Sequence, residues 1–258
     1  MTISFDSMTS KSKQSQNSVC SAESSIPCPA TGHDSSRRRF LQMTATGTVA
    51  GLVAAAGVGF TPIPALAQSK LSPDAALQEL MDGNRRFSSG RLISFEQDLA
   101  ILKADTIEKQ EPFAAVLSCA DSRVPVELIF DQSIGHIFVT RVAGNVVTSE
   151  IIASLEYGAA VLGTRVILVM GHAGCGAVKA TIQAKEVPGQ ISALYPHIQP
   201  AVDQAGSNLE AAIKANAKIQ AALLRASSTV VSGLVKEGKL KVVASHYDLA
   251  SGVVTLLE

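Results

Sequence analysis

Two short stretches hold residues whose types and spacing can do chemistry. One is Cys119-Ala120-Asp121-Ser122-Arg123 and the other is Gly171-His172-Ala173-Gly174-Cys175-Gly176. Two thiols and one imidazole form a soft donor set suited to tetrahedral Zn²⁺, and three protein ligands with a fourth position to spare is the catalytic pattern. A His-x-x-Cys pair by itself says little, whereas a second cysteine beside an Asp and an Arg makes the set specific. Asp121 can take two roles. On the metal it fills the fourth position and leaves no nucleophile. Paired in bidentate fashion with Arg123 it frees that position for water, whose pKa zinc lowers to about 7. Simpler readings stand beside these: an Asp121–Arg123 ion pair that only stiffens its loop, or a Cys119–Cys175 disulfide, which would need none of the other three residues nearby.

For these residues to meet, two chain segments must carry them to one place. Residues 113–117 and 166–170 are apolar runs with the character of buried strands, and each ends at one of the two clusters. In an open parallel sheet, ligands collect where the carboxyl ends of adjacent strands meet and the winding reverses. If these two strands are neighbours, Cys119, His172 and Cys175 converge. Further strands are expected at 137–140 and 240–245, with an edge strand at 253–257. Helices are expected at 149–163, from near Gly176, at 209–224 and at 228–236, with a short helix at 125–130 and an irregular stretch at 188–200. The alternation predicts an α/β fold: a mostly parallel sheet of about four strands plus an antiparallel edge strand, flanked by helices. Ser72-Pro73-Asp74 marks a helix start, and Ala76, Leu77, Leu80, Met81 and Phe87 give that helix one apolar stripe, so the sheet is preceded by an N-terminal helical arm. A short amphipathic segment is expected at 99–107.

The first 67 residues read differently. Residues 1–35 are rich in Ser, Thr and Gln without an apolar period, the pattern of a disordered leader. Ser36-Arg37-Arg38-Arg39-Phe40-Leu41-Gln42, a weakly apolar run from Met43 to Phe60, and Ala65-Leu66-Ala67 together read as an export signal peptide of the twin-arginine type with a small-x-small processing site. The run is barely long enough to span a bilayer and is diluted by Gly and Thr, so cleavage suits it better than anchoring, and no stable membrane insertion is expected after processing. The leader holds five of the 22 basic and three of the 22 acidic residues, leaving 17 against 19 over 68–258. That near-neutral balance offers no electrostatic case for nucleic acid or an anionic membrane surface. Cys20 and Cys28 fall in the leader, so the mature chain keeps only Cys119 and Cys175. The expected location is the periplasm or the lumen of an internal membrane system.

Cys119 through Pro125, taken with His172 through Gly176, resembles the paired signature of the β-class carbonic anhydrases. Leu80 through Phe87, Arg141 through Asn145 and Leu155-Glu156-Tyr157 also match segments of that family, so the resemblance covers roughly residues 72–258. It implies reversible hydration of CO₂ to bicarbonate and a proton at one Zn²⁺ per chain. The implied ligands are Cys119, His172 and Cys175, with Asp121 as exchangeable fourth ligand and Arg123 as its partner. Gln110, Phe138, Ala143, Tyr157 and Gly176 are implied as substrate-binding residues, Gln110 orienting the substrate and Phe138, Ala143 and Tyr157 lining an apolar pocket. Ala143 stands where a larger aliphatic residue is common. A homodimer or homotetramer is implied as well, with the pocket residues coming partly from the second subunit.

Some readings stay open at this point. One subgroup of the family is closed by bicarbonate at a pocket with a tryptophan three residues before the first zinc cysteine; Val116 stands there and the chain has no Trp, so that regulation is not expected. Relatives on the same scaffold hydrolyse carbon disulfide or carbonyl sulfide, isosteres that an apolar pocket separates poorly from CO₂. A non-catalytic module in which Cys119 and Cys175 report oxidation is a reading from another class. His136, His197 and His246 read as structural.

Overall fold

The computed structural model describes residues 69–94, 106–107 and 109–258. The leader, the twin-arginine signal with its processing site, and most of the amphipathic segment at 99–107 lie outside the described residues.

Helix α1 (Pro73–Ser88) starts as its sequence dictates. Ser72 Oγ accepts the Ala75 N–H at 3.2 Å, and Pro73 occupies the first helical position, where a missing N–H costs nothing. The stripe places Ala76 and Leu80 in the core with Leu77, Met81 and Phe87 packed at its margin. Gly83 lets the helix lie directly against residue 130, because a Cβ there would sit 1.7 Å from the Phe130 carbonyl oxygen.

The sheet runs in the order β2-β1-β3-β4-β5. Strands β1 (Ala114–Ser118), β2 (Ile137–Arg141), β3 (Val166–His172) and β4 (Lys241–Tyr247) are parallel, and β5 (Val254–Leu257) is antiparallel to β4. Every residue of β1 and β3 is buried, as expected for strands covered on both faces. Helices α1 and α2 (Val126–Ile129) pack on one face; α3 (Ser149–Glu156), α6 (Leu209–Ser227) and α7 (Thr229–Lys236) cover the other. The chain steps from β1 to β2 on one side and places β3 on the other, so the winding reverses between β1 and β3. The two strands carrying the chemistry are neighbours, with Ser118 opposite Met170.

Some boundaries differ from expectation. Strand β3 runs two residues past its apolar run, because Gly171 and His172 pair with His246 and Tyr247 of a correspondingly longer β4. Helix α3 stops at Glu156 and continues as a π-helical turn, Tyr157–Val161. The stretch at 188–200, expected to be irregular, is a 3₁₀ turn (Gly189–Leu194) followed by helix α5 (Tyr195–Ala205). Pro196 lies in the first turn of α5, where no bond is lost. Pro200 does remove one, and the burial of Ile198 and Ala201 keeps the helix in place. Among the described residues, no helix is long and apolar enough to cross a membrane.

Candidate metal centre

Cys119 follows β1 directly, His172 is the last residue of β3, and Cys175 caps helix α4 (Gly176–Ile182). The intervening turn needs Gly174, whose φ is +65°. The backbone N–H of Ala173 is held by the Tyr247 carbonyl at 2.9 Å, so the end of β4 fixes the loop between His172 and Cys175. The two Sγ atoms and a His172 ring nitrogen all lie within 4.8 Å of one another, and all three residues are buried. Both cysteines are free thiols, so the disulfide reading is not what the fold builds.

The donor set fits a zinc ion. Tetrahedral coordination at the usual Zn–S and Zn–N lengths separates ligand atoms by roughly 3.5 Å, a spacing the three atoms reach with small side-chain adjustments. His172 Nδ1 lies 3.0 Å from the Ala173 carbonyl, so that nitrogen carries the proton and Nε2 presents its lone pair. Nε2 is buried and makes no hydrogen bond, the signature of an atom meant for a different partner. Cys119 is held far below the ordinary thiol range, at about 4, first by the hydrogen bond from the Cys175 thiol. Burial opposes that shift, and the His172 ring and the Gly144 and Asp121 backbone assist it. Cys175 is pushed up by the same contact and by burial. Two buried thiols pressed together in this way are a pair that a divalent cation would resolve, by taking both as thiolates.

Asp121 is turned away from this triad. Its carboxylate accepts from Arg123 Nε at 2.9 Å and Nη2 at 2.7 Å, and from the Arg123 backbone N–H at 2.9 Å. Its nearer oxygen stays 3.9 Å from His172 Nε2. The Arg123 side chain beside it holds the carboxyl well below the usual carboxylate range. The pair closes within five residues of Cys119, on the loop that Val124 N–H to Asp121 carbonyl pins at 3.1 Å.

Arg141 ends β2 and reaches across to this loop, donating from Nε to the Cys119 carbonyl at 3.0 Å and from Nη2 to the Asp121 carbonyl. Sequence reasoning placed Arg141 in a matching segment but gave it no task; its position at the end of the strand beside β1 was the available signal. The Gly144 N–H points at Cys119 Sγ at 3.4 Å. Val146, Val178, Ile198, Ala212 and Ile213 close an apolar wall around both cysteines.

The comparisons with known proteins agree with this geometry. Residues 114–254 match the family model described as carbonic anhydrase. A carbonic anhydrase of Mycolicibacterium smegmatis is 36% identical over 193 residues, covering 72% of this chain and 93% of the relative. The chain belongs to the carbonic anhydrase family. Carbonic anhydrase 2 of Mycobacterium tuberculosis is 34% identical over 189 residues, 70% of this chain and 91% of that protein. Among solved structures, the Coccomyxa β-carbonic anhydrase in complex with acetazolamide superposes with a TM-score of 0.56 at 25% identity, over 70% of this chain and 86% of its own. The fold of the β-carbonic anhydrase CcaA is also shared, with a TM-score of 0.58 at 24% identity, over 70% and 87%. The α/β fold, with its single antiparallel edge strand, is thus that of the β-class carbonic anhydrases.

The residues implied as substrate-binding fall into two groups. Ala143 opens the turn that carries Gly144, and Gly176 follows Cys175, so both adjoin the centre. Phe138 and Tyr157 form an aromatic pair of their own, with ring centroids 6.2 Å apart and tilted by 47°. Phe138 pairs with Ala115, three residues before the end of β1 and so ~10 Å along the sheet. Gln110 is exposed ahead of β1. Within one chain these last three residues do not meet Cys119, His172 and Cys175.

Proposed function

We propose that the protein catalyses reversible hydration of CO₂ to bicarbonate and a proton, with one Zn²⁺ per chain held by Cys119, His172 and Cys175. The observation that carries this reading is the state of Asp121: both its oxygens are occupied by Arg123, and none is given to the three ligands. Zinc in such a site supplies a Lewis acid that lowers the pKa of a coordinated water to about 7. The chain's own residues then have separable tasks. Arg123 keeps the carboxylate off the ligands, and Asp121 stands ready to accept a hydrogen bond beside His172. The apolar wall around the cysteines excludes bulk water and suits a small, uncharged substrate. Gln110, Phe138 and Tyr157 complete the pocket from a second subunit in this reading, which therefore includes a homodimer or homotetramer; the solved β-carbonic anhydrases of Sordaria macrospora are described as tetrameric.

Stopped-flow CO₂ hydration by the zinc-loaded protein is the deciding test. Turnover that depends on zinc and on Cys175 supports the reading. A zinc-loaded protein that releases sulfide from carbon disulfide or carbonyl sulfide, and leaves CO₂ untouched, overturns it. Export to the periplasm or an internal lumen is part of the same proposal, on the strength of Arg37-Arg38 and Ala65-Leu66-Ala67. Replacing both arginines by lysine should leave a longer precursor in the cytoplasm; normal processing of the twin-lysine protein would remove the twin-arginine assignment.

A further inference from the structure

The turn Ala143–Asn145 is an unusual thing for a chain to form unaided. Gly144 and Asn145 both take positive φ, +74° and +44°, and the second of these is not a glycine. A Cβ on residue 144 would sit 2.8 Å from Ile198 Cδ1, so the backbone is pressed close to its neighbours. The turn aims its Gly144 N–H at Cys119 Sγ. Something outside it must hold that aim.

Helix α6 presents two amides to it, four residues apart on one face and both fully buried: Asn216 and Gln220. Asn216 Nδ2 donates to the Gly144 carbonyl at 2.8 Å, an oxygen that can only accept, which fixes the orientation of the amide. Gln220 Oε1 accepts the Val147 N–H at 2.8 Å, so the two side chains grip the turn on both sides of Asn145. Gln220 Nε2 in turn donates to Asn216 Oδ1 at 3.2 Å and to the His197 carbonyl at 2.9 Å. A helix facing an apolar cluster would ordinarily bury Leu or Ala here, and two buried amides are tolerated only because their bonds are made.

We propose that Asn216 and Gln220 are positioning residues for the metal centre: they clamp the turn so that the Gly144 N–H bonds the Cys119 sulfur and orients it as a ligand. The inference rests on the reading of Cys119 as a metal ligand. The Gly144 N–H is the partner one hydrogen bond from the ligand atom, and the two amides act through it. Loss of a partner of that kind typically changes metal affinity by about 10–100-fold.

The test uses the full chain loaded with ¹¹³Cd. A hydrogen bond from an amide to a metal-bound sulfur transmits scalar coupling between the cadmium and the amide proton, and the Gly144 amide should show it. In Asn216→Ala that coupling should disappear, and cadmium affinity by chelator competition should fall about 10–100-fold. Gln220→Met leaves Asn216 in place without its anchor, and should weaken the coupling with a smaller loss of affinity; it carries the test alone if Asn216→Ala does not fold. A clamp that is merely structural lowers the melting temperature in both variants and leaves coupling and affinity at parental values, which would overturn the proposal. Failure of the parent chain to take up cadmium overturns the metal-centre reading and this inference with it. Uptake by the parent without coupling at Gly144 overturns this inference alone.

Discussion

Among the described residues, two of the Asp–Arg pairs look alike in chemistry and differ in everything around them. Asp121 meets Arg123 on an open loop, with the arginine side chain 56% exposed and the aspartate 18%. Asp131 meets Arg86 at 2.5 Å with its own side chain wholly buried. Among the described residues, the Asp121 carboxylate accepts hydrogen bonds from Arg123 alone. Asp131 is held from three directions: Arg86 on α1, the Ile93 and Ser94 N–H groups at 3.1 Å, and the Ser94 hydroxyl at 2.7 Å. A carboxylate with one local competitor can change partners, whereas one locked by donors from separate segments cannot. The first pair is therefore suited to gating a site, and the second to pinning the N-terminal arm onto the domain.

Removing Arg123 should produce the largest effect. With its competitor gone, the Asp121 carboxylate turns toward the ligands, so Arg123→Ala should keep its zinc and its melting temperature while CO₂ hydration falls by about two orders of magnitude or more. Metal analysis beside stopped-flow kinetics reads both halves. A variant that still turns over near the parental rate reduces this pair to a loop brace and erases the contrast.

Cutting the other pair should do the reverse. Asp131→Asn keeps the size and tolerates the positive φ of +45° at this position, yet it removes the buried charge that faces Arg86 and turns one of the two acceptor oxygens into a donor. Breaking a buried pair of this kind costs about 3 kcal/mol, visible in denaturant unfolding, with turnover of the folded fraction kept. Loss of turnover without loss of stability would place Asp131 in the catalytic machinery and contradict the division drawn above.

Acid sharpens the same comparison at smaller amplitude. Burial raises the Asp131 carboxyl, but Arg86, Ser94 and Ile93 outweigh it and the net direction is down. A depressed folded-state pKa contributes stability that is fully present above the unfolded value of about 3.9 and is lost as pH falls through the folded one. The stability gap between parent and Asp131→Asn should be widest near neutrality and close below about pH 4. A gap that stays constant into acid, measured as melting temperature against pH, would mean that packing and not charge holds the arm.

The smallest effect belongs to Arg123→Lys. Lysine keeps the charge and loses the planar fork that reaches both oxygens, so the carboxylate is restrained less firmly and hydration should fall several-fold, well short of Arg123→Ala. Equal damage from both substitutions would show that fork geometry, more than charge, holds the gate.

Much of this was legible before any coordinates. Ligand chemistry is a property of residue type, so two thiols and an imidazole at the ends of two apolar runs mark a group that could hold a metal. Alternating apolar runs and helical stripes likewise specify a doubly covered parallel sheet, because each pattern has only one way to bury its apolar face. The helix start at Ser72-Pro73 is similarly local, being a matter of one hydroxyl and one missing N–H. Three things were decided only in three dimensions. Helix α5 forms through two prolines because Ile198 and Ala201 find a buried surface, and local propensity carries no information about a distant partner. Asp121 could have faced either the metal ligands or Arg123, and the choice rests on loop geometry set by Arg141 from a neighbouring strand. Asn216 and Gln220 were not singled out in the sequence of α6, and only the fold lays them against the turn at Gly144, which is 72 residues from Asn216 in the chain. Side-chain chemistry is written residue by residue, but which polar group meets which is settled by packing, since a buried donor takes whatever acceptor the tertiary structure brings within reach.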